Sequence, residues 1–265
     1  GRDILKGRAS ARIKVAVLLI MAMSFALGFL YGVEERFYVF RLKHIYVVPG
    51  NALIEKEVTN WTGKAARFWP FLFVSYSSWK NDIEARYPVR ISIKLNGWGK
   101  VTIEWVYLQP SFIAKWHGIN WFITSTGMAW SEKNPLWENM DVDVHGILTL
   151  KWDDSMPPLV PDEANLLGVR QSIFPVKSIV EFVEAVRNTP WVQGLNDIKL
   201  MKVAGDLMVM ITVASMGKDV NILLEFSKIT WTNLSPALEA IVKSSDANKI
   251  YLDATYKDKI VIKTK

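Results

Sequence analysis

The chain has 265 residues, which is long enough for one large domain or two ordinary ones once the first segment is set aside. Its net charge of +6 is concentrated in residues 1–14, which hold five basic side chains and one acidic one, whereas the remainder holds 27 basic and 25 acidic side chains. This distribution excludes nucleic acid as a partner and marks membrane topology instead. The absence of cysteine excludes disulfide bonds and thiolate metal sites.

Residues 15–33 form an uncharged apolar segment of 19 residues. As a helix the segment would measure about 28 Å, close to the hydrocarbon thickness of a bilayer. Basic residues precede it and two glutamates follow it, so the positive-inside rule predicts a cytoplasmic tail at residues 1–14, a transmembrane helix at residues 15–33 and an extracytoplasmic remainder. A cleavable signal peptide, with Ser24-Phe25-Ala26 as its cleavage triplet, is the alternative, although its apolar region would normally be shorter.

The first elements after this segment alternate between strand and helix signals. Residues 37–48 are rich in aromatic and β-branched side chains and predict a strand. Apolar residues at helical spacing predict a helix over residues 54–61. Residues 68–74 are predicted to form a hydrophobic loop, after which Ser77 or Ser78 is predicted to cap a second helix.

The second helix is predicted to end at Arg86, and a β-hairpin follows it. Residues 89–95 and 101–107 alternate between apolar and polar side chains on either side of the turn Gly97-Trp98-Gly99. One apolar face on each strand predicts a sheet that the two helices cover on one side. Strand, helix, helix, strand and strand thus form a compact α+β module within residues 34–108.

Residues 109–265 have the signals of a β-rich domain with an open sheet and a few helices. A loop rich in proline and aspartate is predicted over residues 153–168. Strands are predicted at residues 112–116, 119–124, 146–152, 197–203, 207–213, 220–226, 249–256 and 259–263. Helices are predicted at residues 175–186 and 236–243.

Short motifs after the apolar segment resemble those of the bacterial cell-division proteins FtsQ and DivIB. Residues 45–51, IYVVPGN, are similar to the family's I.V.GN strand and turn. Residues 250–256, IYLDATY, followed by residues 260–262, resemble its terminal hairpin, vDlRy and v.v. The chain departs from the family at residues 107–111, YLQPS, where an arginine and a proline are usual, and at Thr255, where the terminal arginine is usual.

The resemblance implies an α+β fold with a single N-terminal transmembrane helix, a POTRA domain (β-α-α-β-β) at residues 34–108 and a β-rich domain at residues 109–265. It also implies a non-enzymatic scaffold of the divisome that lies in the cytoplasmic membrane at the septum, with its C-terminal domain outside the cytoplasm. The implied partners are FtsB-like and FtsL-like single-span division proteins and other divisome components.

The residues themselves have no spacing typical of a catalytic or metal site. The three histidines share no metal-ligand spacing. Residues 77–80 match the Ser-x-x-Lys pattern of penicillin-binding enzymes but lack its companion motifs. Four aspartates between residues 141 and 154 lack the glycine-centred pattern of a calcium loop. We therefore predict neither catalysis nor a cofactor.

Partner binding is instead predicted at the end of the chain. A C-terminal strand at the edge of an open sheet exposes backbone N–H and C=O groups with which a partner's strand can pair. Tyr256 matches the family's terminal tyrosine and is predicted either to anchor an interface or to pack under the last hairpin. Nearby lysines would steer an acidic partner or protect the edge from aggregation, and Trp98 would contact a partner, the headgroup layer or its own turn. The predicted partner-binding residues are Tyr256, Thr255, Lys257, Lys259, Asp253 and Trp98.

Two other classes of function are alternatives. POTRA modules also occur in outer-membrane transport and secretion proteins that act on unfolded polypeptide, but those carry a cleaved signal and several POTRA copies or a barrel. Loss of residues 1–26 from the mature protein would favour that class. A membrane-anchored cell-wall hydrolase would need a nucleophile or a metal triad, which the sequence does not offer.

Overall fold

The computed structural model describes residues 2–63, 66–140, 143–144, 146–161, 165–256 and 258–264, and their side chains from residue 13 onward. The chain is α+β, with one apolar N-terminal helix followed by a sheet-rich remainder, which confirms the predicted class at this level. It divides into two compact units, which we call the first unit (Gly1–Asn81 with Ile91–Trp105) and the second unit (Asp82–Arg90 with Val106–Lys265).

Helix α1 (Arg2–Phe37) extends beyond the predicted apolar segment at both ends. Its stretch Ile13–Phe37 has 25 residues, is long and apolar enough to cross a membrane, and is not buried within the protein. This length and composition fit both a membrane span and an N-terminal signal sequence. The helix ends at Phe37 because Tyr38 has a φ of 50°, outside the right-handed helical region, although its N–H still donates to the Glu34 carbonyl at 2.8 Å.

The predicted strand over residues 37–48 is wrong in its first half, because only β1 (His44–Val48) is a strand. Residues 38–43 form a turn that is bonded to other segments of the first unit. The N–H of Lys43, for example, donates to the Gly99 carbonyl at 2.8 Å. These bonds take the place of a strand ladder, so the strand-like composition of this stretch does not decide its structure.

The part of the chain that follows β1 adds two helices and a hairpin. In chain order these are α2 (Ala52–Gly63), α3 (Phe71–Arg86), β2 (Val89–Leu95) and β3 (Lys100–Tyr107). The three strands form a sheet of order β1-β3-β2, in which β1 runs parallel to β3. Helix α2 begins where the side-chain oxygen of Asn51 accepts the N–H groups of Leu53 (3.0 Å) and Ile54 (3.2 Å), which satisfies two otherwise unpaired donors.

Helix α3 begins at Phe71, so the predicted loop over residues 68–74 is wrong from Phe71 onward, and the predicted caps Ser77 and Ser78 are wrong. The inward stripe of the helix repeats every three or four residues, as an amphipathic helix requires. Its members, buried or half-buried, are Leu72, Tyr76, Trp79 and Ile83. The exposed apolar side chains of Phe71 and Phe73, on either side of Leu72, hide this period in the sequence.

The second unit is built on a mixed ten-stranded sheet of order β13-β12-β11-β10-β9-β7-β4-β5-β6-β8. Its strands are β4 (Phe112–Trp116), β5 (Ile119–Ile123), β6 (Met128–Ser131), β7 (Leu148–Trp152), β8 (Arg170–Gln171), β9 (Gly194–Val203), β10 (Asp206–Ser215), β11 (Lys218–Glu225), β12 (Lys249–Asp253) and β13 (Val261–Thr264). Its helices are α4 (Pro135–Glu138), α5 (Val176–Arg187) and α6 (Lys228–Ser244). The predicted strands and helices are present, β4 with its predicted ends and the others with shifted ends, whereas β6, α4 and β8 were not predicted.

Helix α6 begins well before the predicted start at residue 236. Ser227 caps it, because its hydroxyl accepts the N–H of Thr230 at 3.4 Å. Pro236 lies inside the helix, although proline is most frequent in the first turn of a helix. That preference placed the predicted start too late.

Helices α5 and α6 cover one face of the sheet and form the main core with it. The strands contribute alternate residues to this core, as the two-residue period of a strand requires. Those of β10, β11 and β12 are Val209, Ile211, Val213, Val220, Ile222, Leu224, Ile250 and Leu252. The residues between them therefore lie on the opposite face.

Asn134 joins three segments of the second unit. Its side chain is fully buried and caps α4 by accepting the N–H of Leu136 at 3.1 Å. Its Nδ2 donates to the carbonyls of Arg86 (2.8 Å) and Leu167 (2.6 Å). A buried amide that makes three hydrogen bonds fixes the spacing of the segments it joins.

We predict that Asn134→Ala lowers the free energy of unfolding by about 2–3 kcal/mol, since it removes the cap of α4 and the hydrogen bonds to the carbonyls of Arg86 and Leu167. Denaturant titration of the variant measures this loss. Asn139→Ala is the matched control, because the exposed side chain of Asn139 donates to the Pro135 carbonyl of the same short helix, at 2.8 Å. Equal losses in the two variants would contradict the assignment.

Candidate partner-binding surface

A groove of about 300 Å³ lies on the face of the sheet that α5 and α6 leave uncovered, across β10 to β13. The strand registers arrange its floor in two rows of side chains, each running from strand to strand. The first row consists of Thr212, Asn221, Tyr251 and Lys263, and the second consists of Met210, Leu223, Asp253 and Val261. Each row continues onto β9, the first at Asp197 and the second at Lys199.

The groove has an apolar centre, and lysines lie over the tyrosines that line it. Met210, Leu223 and Val261 supply the apolar surface. Two lysine–tyrosine contacts lie at the side of β12. The ammonium of Lys249 is 5.8 Å from the ring centre of Tyr251, and that of Lys259 is 5.1 Å from the ring centre of Tyr256. Such cation–π contacts hold the aromatic rings in place while the charges stay in water.

Strand β13 forms one edge of the sheet. Within the described chain it pairs only with β12, in antiparallel register. Its residues are half-buried or exposed. Even Ile262, which pairs with the core residue Leu252, has nearly half of its surface accessible. The outer backbone groups of β13 therefore have no neighbouring strand in the described part of the chain, and they border the groove.

The structure brings four of the predicted partner-binding residues together at the end of β12. Tyr256 is half exposed and lines the groove, with Lys259 over its ring. Asp253 also lines the groove, and its carboxylate accepts the N–H (3.1 Å) and the hydroxyl (2.6 Å) of Thr255. Asp253 and Thr255 thus shape the turn that ends β12, so the strand is shorter than the predicted 249–256. Lys257 lies outside the described residues.

Trp98 belongs to the first unit and is not part of the groove. Its indole N–H donates to the carbonyl of Val39, and its ring is 5.3 Å from that of Trp69 at an interplanar angle of 83°. The side chain thus packs on the turn after α1 rather than only on its own turn. Slightly more than half of its surface nevertheless stays exposed.

Sequence reasoning missed the rest of the groove, including Met210, Leu223 and Tyr251. A signal for it exists in β10, where apolar residues occupy both alternating sets of positions between Leu207 and Val213. A strand that is apolar on both faces needs cover on both. In the part of the chain that the structure describes, helices cover one face, so the second apolar face is a candidate surface for another chain.

The described residues do not converge on a catalytic or metal site. No group of three His, Asp or Glu side chains among them is arranged to hold a metal ion. His117 is 3.4 Å from Asp154, and both side chains are largely exposed. His145 and Asp141 lie outside the described residues. The expectation that the chain is not an enzyme stays a prediction.

Asp153, which forms an ion pair with Lys199 of β9, has a strongly lowered pKa. Its carboxylate contacts the ammonium of Lys199 at 2.5 Å and accepts the N–H (3.1 Å) and the hydroxyl (2.8 Å) of Ser155. Lys199 first and Ser155 second lower the pKa of Asp153 from 3.8 to about 2. The carboxylate is therefore held in its charged form, as the partner of Lys199 at the end of the second row. A general acid would need to carry a proton near neutral pH, which this carboxylate does not.

Comparison of the chain with models of known protein families and with curated protein sequences found no match to either. The resemblance to the FtsQ and DivIB proteins therefore stays a prediction from the short motifs and the order of elements in the sequence.

We predict that Lys199→Met lowers the free energy of unfolding by about 1 kcal/mol at neutral pH, because Asp153 is partly exposed and its ion pair is partly screened. Asp153 has its ordinary pKa in the unfolded chain. Its stabilising effect is therefore complete above about pH 4 and is lost as the pH falls through about 2.

Denaturation of both proteins across this pH range measures the effect, and the difference between them should narrow toward the acid end. Asp153→Asn should give a similar profile, and the double variant should lose little more than either single one. A pH-independent difference would show that Lys199 acts through packing.

Proposed function

We propose that this chain is a membrane-anchored scaffold of bacterial cell division of the FtsQ/DivIB type. In this proposal α1 is a single span in the cytoplasmic membrane at the septum, with its N-terminus in the cytoplasm and both units outside. The protein performs no chemistry and binds FtsB-like and FtsL-like single-span partners together with other divisome components.

The observation that carries the proposal is the edge position of β13 beside an apolar groove. A partner segment in extended conformation would pair its backbone with β13 and would place alternate side chains toward the groove. Tyr256 stands where the strand and the groove meet, and it is exposed enough to be covered. Aromatic side chains in such positions supply much of the binding energy of an interface.

The first unit supports the same assignment. Its order of strand, helix, helix, strand and strand directly after an apolar helix is the order that the resemblance to a POTRA domain implies for residues 34–108. The assignment of this module as POTRA is part of the proposal. A second set of divisome partners would bind there.

We predict that Tyr256→Ala weakens binding of an FtsB-like partner by about tenfold or more, because it removes the aromatic anchor of the groove. The full-length chain is co-purified with the partner in detergent, and the affinity is then measured by titration. Tyr46→Ala is the matched control, since Tyr46 of β1 is as exposed as Tyr256, at 51% each. Unchanged binding by Tyr256→Ala would count heavily against the proposal.

Removal of residues 261–265 tests the edge strand separately. This truncation spares the buried Ile250 and Leu252 of β12, which a longer deletion from Lys249 would take from the core. We expect partner binding to be abolished while the thermal midpoint falls only slightly, because β13 contributes little buried surface. A truncated protein that binds normally would exclude β13 as the pairing edge.

We further predict that Lys263→Glu slows association with an acidic partner segment by about tenfold at low salt, and that the difference shrinks at high salt. Lys263 lies in the groove row next to Tyr251, so its charge acts on an approaching chain. Stopped-flow association at several ionic strengths measures the effect. Lys56→Glu, on the exposed side of α2, is the control. Identical salt dependence in the two variants would show that the groove charge does not steer the partner.

A further inference from the structure

An exposed aromatic patch lies on the first unit close to the end of α1. We define the patch as Phe68, Phe71, Phe73, Val74 and Trp98, which are all more than one third exposed. The rings of Phe68 and Phe71 are 5.0 Å apart, and Phe73 and Trp98 both contact the buried Trp69. A cluster of large apolar side chains in contact with water is unfavourable unless something covers it.

The patch is tied to the end of α1 by backbone hydrogen bonds. The N–H of Leu42 donates to the Ala66 carbonyl at 3.0 Å, and the N–H of Trp69 donates to the Phe40 carbonyl at 2.9 Å. The N–H of Phe40 in turn donates to the carboxylate of Glu34, inside α1, at 2.6 Å. No free linker therefore separates the helix from the module that follows it.

Side-chain contacts also place the patch close to the end of α1. The ring of Phe40, three residues beyond the last residue of α1, is 5.1 Å from that of Phe68 and 5.8 Å from that of Trp98. If α1 spans the membrane, its end lies at the membrane surface. The aromatic patch then lies at that surface as well, because so few residues separate the two.

The charges around the patch suit a lipid surface. Four basic side chains near it are exposed: Arg67 directly precedes Phe68, and Arg36, Arg41 and Lys43 lie within four residues of Phe40, whose ring contacts the patch. The guanidinium of Arg41 lies 3.8 Å from the ring centre of Tyr38, and its Nε is 4.0 Å from a carboxylate oxygen of Glu34. Of the two nearby glutamates, Glu34 is bonded within the turn and Glu35 accepts the hydroxyl of Tyr31 at 2.9 Å. Aromatic rings with flanking basic side chains are typical of segments that lie in the headgroup region.

We infer that the aromatic patch docks on the same membrane that α1 crosses, with Phe71, Phe73 and Val74 at the boundary between headgroups and acyl chains. The inference rests on the proposed anchoring by α1. Docking covers the exposed rings and holds the first unit against the bilayer, so that the unit does not swing on a tether. The occupant of this surface is thus phospholipid and not another protein.

Because the chain has no cysteine, a single introduced cysteine can carry a probe at a chosen position. The full-length Val74→Cys protein is labelled with an environment-sensitive fluorophore and reconstituted into vesicles of phosphatidylethanolamine and phosphatidylglycerol that contain a lipid-borne quencher. Val74 is 79% exposed, so the label leaves the rings of the patch intact. We expect quenching about threefold or more above that of Lys56→Cys, an exposed position on α2 of the same unit.

A substitution tests whether the patch itself causes the immersion. In the Val74→Cys background, Phe71→Gln should reduce quenching by about half or more, since Phe71 lies one helical turn away on the same face. Ile229→Gln is the matched control, because Ile229 is an equally apolar, exposed residue on α6, and it should change nothing. Quenching at Val74 no stronger than at Lys56, or unaffected by Phe71→Gln, would overturn the inference.

A label within α1 separates this inference from the proposed anchoring. Leu27→Cys should be quenched strongly if α1 lies in the bilayer. Quenching at Leu27 without quenching at Val74 rejects the docking alone and leaves the anchoring intact. Absence of quenching at Leu27 rejects both, because the docking depends on the span.

Discussion

Backbone N–H and C=O groups in a strand need partners, and an open sheet always has two strands whose outer groups lack them. In the ten-stranded sheet the two edges are β8, with only two residues, and β13, with four. A very short edge strand is one way in which proteins limit unwanted pairing. The longer edge, at β13, borders the apolar groove. Backbone groups that can pair with another strand and apolar side chains that can be covered therefore lie side by side.

Elements with a clear period and clear ends were predicted well. Strand β4 was predicted with its observed ends, and α5 was predicted within one residue at each end, because its stripe of valine and isoleucine faces the core. The start of helix α3 and the turn before β1 were predicted wrongly, because exposed aromatic residues in both segments obscure the spacing of the buried residues. In the inferred docked state, those aromatic residues contact the lipid surface and not the core of the protein. Their positions therefore do not follow the period of buried residues from which helices and strands are predicted.

The residues of the groove were likewise predicted only in part. Tyr256 was found through a terminal motif, whereas Met210 and Leu223 were not, because their place in the groove depends on pairings between distant parts of the chain. Strand β12 joins β11 in parallel register after the crossover through α6, and only that pairing sets Asp253 beside Leu223. Strand order of this kind cannot be derived from the local alternation of side chains.

The bonded turn between Glu34 and Lys43 has a consequence for encounters with other proteins. A flexible linker lets a module search a volume set by its length, and the effective concentration of a tethered partner falls as that volume grows. The hydrogen bonds of Phe40, Leu42 and Lys43 remove this freedom. In the proposed membrane-anchored state, other proteins in the same bilayer would therefore meet the first unit at a nearly constant height, and the length of their own stalks would decide which of them can reach it.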